Sequence, residues 1–190
     1  MLKRFFLFIT GASLIAAPAF ADASSPPATK AGLQKATFAA GCFWGVEAAF
    51  RHVKGVVDTQ VGYTGGHVDH PTYEMVCTHT TGHAESVEVT YDPAKVSYRQ
   101  LLDVFWEIHD PTQKNRQGWD LGSNYRSVIF YHTPEQKAEA IASLKAEQPR
   151  HKKPIVTEIV QAPTFWRAEE YHQRYDEKHG VSCPLPPHRS

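Results

Sequence analysis

Apolar and polar positions along the chain follow two rhythms, one repeating every second residue and one every three to four. The run 35–40 reads as a strand. It gives way at Gly41-Cys42-Phe43-Trp44-Gly45 to Cys42, Val46, Ala49, Phe50 and Val53 at helical spacing. The pattern predicts a strand-to-helix turn, with the helix beginning at or one residue before Cys42 and stopped by Gly55. Residues 56–64 read as a second strand closed by Gly65-Gly66, and residues 67–82, rich in turn formers, as a long loop carrying Tyr73 and Cys77. Residues 85–91 alternate until Asp92-Pro93 breaks them. Period two puts Val87, Val89 and Tyr91 on one face, Glu85 on that same apolar face, and Glu88 toward solvent.

Ser97-Tyr98-Arg99-Gln100 has the form of a capping box ahead of Leu101, Val104, Phe105 and Ile108, which predicts a core-facing helix ending near His109. A second polar loop spans 110–124, and 125–132 reads as a strand. Thr133-Pro134-Glu135-Gln136 opens another helix, with Ala138, Ile141 and Ala142 inward and Pro149 as its stop. Residues 155–160 are a further expected strand and 169–178 a further expected helix. Past Gly180 the prolines 184, 186 and 187 forbid regular structure and predict a long coil tail from about residue 179.

The two ends change the picture. Lys3 and Arg4, an apolar run too short to span a bilayer comfortably, and Ala19-Phe20-Ala21 have the form of a secretory signal, so residues 1–21 are expected to be removed. An uncleaved anchor is the alternative. Residues 22–32 read as a flexible linker and 33–190 as one catalytic domain with a mobile tail. A chain so addressed is exported, to the periplasm, where disulfides form. Twenty basic and twenty acidic residues balance, with no basic stripe, so neither nucleic acid nor an anionic membrane is indicated as a partner.

Three cysteines in an oxidising compartment leave one unpaired. Cys42, at a helix start between two glycines, faces unpaired N–H groups and the positive end of the helix dipole, which favour thiolate over thiol. The competing reading is a small buried hydrophobe. Cys42 on a rigid turn and Cys183 on a tail fit an attacking thiol, oxidised to a sulfenic acid, and a resolving thiol that condenses with it. A permanent structural disulfide between them is the alternative, and Cys77 reads as an inert packed thiol. Glu85, turned to the buried side, loses hydration, which raises its pKa and makes it a candidate acid; a frayed strand end open to water is its bland alternative. The eleven histidines raise the question of a metal. His79 and His83 have i, i+4 spacing, but Thr80-Thr81-Gly82 between them is a poor helix, and no group of three ligands converges in the sequence.

These residues resemble the peptide methionine sulfoxide reductases of the A type. The resemblance runs from about residue 35 to about 175 and is carried by Gly41-Cys42-Phe43-Trp44-Gly45, Val61-Gly62-Tyr63-Thr64-Gly65-Gly66, Pro71-Thr72-Tyr73-Glu74, Thr81-Gly82-His83-Ala84-Glu85, Asn115-Arg116-Gln117-Gly118 and Tyr125-Arg126-Ser127. It implies an α+β fold, a two-layer sandwich of a mixed sheet with packed helices around a ferredoxin-like core. It implies reduction of the S epimer of methionine sulfoxide, in oxidised proteins or peptides and as the free amino acid, by a monomer recycled by a thioredoxin-like reductant, with no cofactor and no metal. Laid on this chain, it makes Cys42 the nucleophile and Phe43 and Trp44 the walls of a methyl pocket. Glu85 becomes the proton donor, Tyr73 and Tyr125 the hydroxyls that bind the sulfoxide oxygen, Asp120 the carboxylate completing the polar side, and Cys183 the resolving thiol. Two positions depart from the family pattern: His79 stands where glycine is expected, and Trp119 where a small polar residue is usual. Two other readings are a cysteine peroxidase, which shares the sulfenic acid step, and a histidine-rich metal-binding protein of the envelope.

Overall fold

The computed structural model of the protein describes residues 32–180. The signal segment, all but the last residue of the linker, and the tail with Cys183 lie outside the described residues. Strand β1 (Gln34–Ala40) leads through Gly41 and Cys42 into helix α1 (Phe43–Arg51), and β2 (Val56–Thr64) follows. After a short helix α2 (Tyr73–Cys77) come β3 (Ala84–Tyr91) and α3 (Tyr98–Glu107). A two-residue hairpin of β4 (Arg116–Gln117) and β5 (Asp120–Leu121) precedes β6 (Ser127–Tyr131). The chain closes with α4 (Pro134–Glu147), β7 (Glu158–Gln161), β8 (Trp166–Arg167) and α5 (Tyr175–His179).

Six strands form one sheet in the order β7-β6-β1-β3-β2-β8. All neighbours are antiparallel except β6 and β7, which makes the sheet mixed and the fold α+β. Within it β1-α1-β2-β3-α3-β6, with strands ordered β6-β1-β3-β2, is the ferredoxin-like arrangement. The period-two reading holds for the helix-covered face. Phe38 pairs with Val87 on one side and Ile129 on the other, and all three are fully buried. The Phe38 ring lies against Phe50 of α1 at 4.8 Å and Phe105 of α3 at 5.4 Å, so one side chain ties sheet and both helices into one core. The second face is closed as well, by Ala39, Ala84, Val128 and Phe130. Glu88 therefore does not reach open solvent as its alternation predicts. It points to that second face, 11% exposed, and accepts a 2.6 Å bond from Lys35.

Four other expectations are corrected. The loop 67–82 contains α2, capped by Thr72, whose side chain accepts from the Met75 N–H. The strand expected over 125–132 starts only at Ser127, because Tyr125 closes a 3-10 turn. The helix expected over 169–178 is broken: the Gln173 carboxamide bonds the backbone of Val61 and Ala168, and the Arg174 N–H is drawn to buried Glu47, leaving Arg174 at φ +52°. In α4 the buried positions are Gln136, Ala140 and Ser143, while Ala138, Ile141 and Ala142 face outward. Polar groups decide that orientation. Gln136 accepts from the His132 N–H at 2.8 Å and donates to the Lys35 carbonyl at 2.7 Å, and Ser143 accepts from the Trp106 indole at 2.7 Å.

His109, at the end of α3, is fully enclosed and neutral, its pKa pushed down by burial to about 4. Its Nδ1–H donates to the Phe105 carbonyl, so Nε2 accepts from Ser127 Oγ, which pins the start of β6 to α3. Unfolding releases this ring to an ordinary pKa near 6.5, so the unfolded chain binds a proton that the folded chain refuses until about pH 4. Stability from this group is complete above about pH 6.5 and is lost as pH falls, by about 1.4 kcal/mol per unit between the two values. Denaturant melts from pH 8 to pH 4 should show that decline, and a smaller one in His109→Gln. The α4 correction gives a second test. Gln136→Ala should lower the unfolding free energy by about 1 kcal/mol, since two part-buried backbone groups lose their side-chain partner, whereas Ile141→Gln should stay within about 0.5 kcal/mol.

Candidate active site

The C-terminal ends of β1 and β2 and the starts of β3 and β6 meet at one end of the four central strands, and the candidate residues gather there. Gly41 makes the turn at φ +100°, and a Cβ there would meet the Gln117 side chain at 2.8 Å, so both the backbone and the close approach require glycine. Cys42 is the N-cap of α1, half-buried, one residue before the first helical N–H. That N–H, of Phe43, donates to Glu85 Oε2 at 3.1 Å. Glu85 is 2% exposed and is paired, on β3, with Tyr63 of the neighbouring β2. The alternation that turned Glu85 inward is correct, and the open strand end is excluded.

One side of Cys42 is aromatic. Phe43 is buried and Trp44 partly so, with Tyr63 at 5.8 Å and His172 at 5.1 Å from the Phe43 ring. The Trp44 indole N–H donates to His172 Nδ1 at 3.1 Å, and its ring stacks on Tyr175 at 3.8 Å. His172 is thus held as the neutral Nε2–H tautomer, and its burial pushes the pKa down. Glu169 joins the two elements that frame this wall: it accepts from the Tyr63 hydroxyl at 2.8 Å and from the Tyr73 N–H at 2.9 Å.

The other side is polar. Burial raises the pKa of the Tyr73 phenol, assisted by the Cys77 thiol, Glu85 and Tyr125. Burial likewise raises that of Tyr125, assisted by the charges of Glu85, Asp120 and Cys42. Both phenols therefore remain hydrogen-bond donors at neutral pH. Asp120, on β5, is itself raised by burial. The hairpin that carries it is set by Gln117, whose carboxamide accepts from the Asp110 N–H and donates to the Asp110 carbonyl. Trp119, at the hairpin tip, is 97% exposed. The structure thus brings together Cys42, Phe43, Trp44, Tyr73, Glu85 and Tyr125, with Asp120 beside them. Cys77, expected as an inert packed thiol, is half-buried at the end of α2 within reach of the Tyr73 hydroxyl. Among the described residues no three His, Cys, Asp or Glu side chains are grouped to hold a metal, and no helix is long and apolar enough to cross a membrane.

Sequence reasoning did not single out Asn124, Glu169 or His172. Asn124 is fully buried, and its side-chain N–H donates to Glu85 Oε1 at 3.4 Å. Nothing in a polar run marks one amide as buried, and one histidine among eleven carries no local signal.

Residues 34–184 match the family model described as peptide methionine sulfoxide reductase. The peptide methionine sulfoxide reductase MsrA of Geobacter sulfurreducens is 67% identical over 150 residues, covering 78% of this chain and 93% of that protein. Among solved structures, Mxr1 from Saccharomyces cerevisiae in reduced form superposes with a TM-score of 0.78 at 36% identity, over 83% of this chain and 91% of that one. Mxr1 in complex with Trx2 gives a TM-score of 0.58 at 27% identity, over 89% of this chain and 96% of that one. A reactive turn, an acid beside it and an aromatic wall, found in a chain this close to such relatives, leave one conclusion: the chain belongs to the peptide methionine sulfoxide reductase family of thiol-dependent oxidoreductases.

Proposed function

We propose that the protein reduces the S epimer of methionine sulfoxide in oxidised exported proteins, and as the free amino acid, through a sulfenic acid on Cys42. The observation that carries this reading is the bond from the Phe43 N–H to Glu85 Oε2. It fixes a desolvated carboxyl against the helix start that presents the thiol, so an acid and a nucleophile face the same small volume. Phe43 and Trp44 supply the apolar wall for the substrate methyl group. Tyr73 and Tyr125 donate hydrogen bonds to the sulfoxide oxygen, and Asp120 completes the polar side.

In this mechanism Glu85 protonates the sulfoxide oxygen, which makes the sulfur electrophilic. Cys42, at the positive end of α1, attacks as thiolate. The substrate S–O bond breaks as a bond forms between that oxygen and Cys42 Sγ; methionine leaves with its sulfur reduced by two electrons, and Cys42, oxidised by the same two, is left as sulfenic acid whose hydroxyl carries the proton Glu85 gave. Cys183 then condenses with it, forming a disulfide and releasing water. A thioredoxin-like dithiol reduces that disulfide and is itself oxidised; the likeness to Mxr1 bound to Trx2 supports such a partner. Export to the periplasm rests on the signal form of residues 1–21, and a monomer suffices for every step.

Cys42→Ser should abolish methionine formation from the stereopure S sulfoxide, with the R epimer inert even to the native protein; chromatographic assay of methionine reads both. Glu85→Gln should slow a single turnover by about a hundredfold or more while the count of titratable thiols stays the same. Cys183→Ser should release one equivalent of methionine and then stall with thioredoxin as reductant, and mass mapping of the native protein after one turnover should find Cys42 joined to Cys183.

A further inference from the structure

We propose that His79 is a positioning residue: it holds the Asn124 carboxamide in the one orientation from which it donates to Glu85. The inference rests on the reductase reading above and extends it to a residue outside the reaction space.

His79 follows α2 in the left-handed region at φ +61°, where a residue with a β-carbon is uncommon and must be held by its surroundings. Several contacts hold it. Its Nδ1 lies 2.6 Å from Asn124 Oδ1, its carbonyl accepts from Ser123 Oγ at 3.4 Å, and its own N–H donates to the Val76 carbonyl at 3.0 Å. Gly122, at φ +140°, passes so close beneath the imidazole that any Cβ there would strike the ring. The imidazole therefore occupies a fitted seat on the turn that carries Asn124 and Tyr125, although the residue is otherwise exposed.

The chemistry of that seat is directional. An amide oxygen only accepts, so His79 Nδ1 must carry the hydrogen, as it does in the Nδ1–H tautomer and in the imidazolium. With Oδ1 committed to His79, the Asn124 NH2 group points to Glu85 Oε1. A carboxamide is nearly symmetric in shape, and turning it over would set its oxygen against the carboxyl oxygen of Glu85. His79 removes that degeneracy. Glu85 then has each oxygen addressed by a separate donor, Oε2 by the Phe43 N–H and Oε1 by Asn124, and the plane of the acid is fixed relative to Cys42.

Two variants separate this role from a merely structural one. His79→Gly relieves the left-handed backbone and removes the donor; His79→Asn tolerates that backbone and restores an N–H. Single-turnover methionine formation should fall about tenfold in His79→Gly with substrate KM little changed, and His79→Asn should recover most of the rate. In a Glu85→Gln background His79→Gly should have no further effect, since both act through the same carboxyl. In 1H–15N spectra the Asn124 side-chain amide should exchange slowly in the native protein and in His79→Asn and rapidly in His79→Gly. A His79→Gly rate within twofold of native, an equal loss in the Glu85→Gln background, or an unchanged Asn124 amide would overturn the proposal. A native protein that formed no methionine, yet lost Asn124 protection in His79→Gly, would overturn the reductase reading and leave the positioning role supported.

Discussion

The hydrogen bond from the Phe43 N–H to Glu85 is the constraint on which the rest of the site depends. A helix start has N–H groups that no residue of its own helix can satisfy, and burying one demands an acceptor. Here the acceptor is a carboxyl from the adjacent strand β3, which the sheet can deliver only if β1 and β3 pair in register. Phe38 opposite Val87 sets that register, and the core built around Phe38 keeps it. Core packing and the placement of an acid one residue from a thiol are therefore the same structural fact.

A second set of ties runs through residues near the C-terminal end of the described chain. Glu169 spans Tyr63 and α2, His172 receives the Trp44 indole, and Gln173 reads the backbone of β2. Buried Glu47 joins these to α1 through Thr59 and the Arg174 N–H. Burial raises the Glu47 pKa, and the bonds from Arg174 and Thr59 oppose that rise. The aromatic wall is thus held in place by the hydrogen bonds of Glu47, Glu169, His172 and Gln173.

Most strands and the three long helices were legible because period two and period 3.6 are written in residues such as Val87, Val89 and Leu101. The inward turn of Glu85 was legible for the same reason. Legibility failed where polar side chains replace apolar ones as the inward anchors. In α4, Gln136 and Ser143 face the core because their hydrogen-bond partners are there, and Ile141 is left outside. The break at Gln173 and Arg174 reflects partners more than a hundred residues earlier in the chain, which no local window contains. Asn124 was invisible for a related reason: its role is defined by Glu85 and His79, two residues on other segments.

The topology also dictates when the reactive turn can exist. Strand β1 is central, and its two neighbours are β3 and β6, so the segment that leads into Cys42 has no completed pairing until Ser127–Tyr131 has been made and has docked. Pairings between such distant segments form slowly, because loop closure precedes any gain from contact. During synthesis the Cys42 thiol emerges long before Glu85, the rest of the aromatic wall and the turn bearing Asn124. The chain is then a carrier of an ordinary cysteine, and it becomes a catalyst only when folding reaches the second half of the sheet.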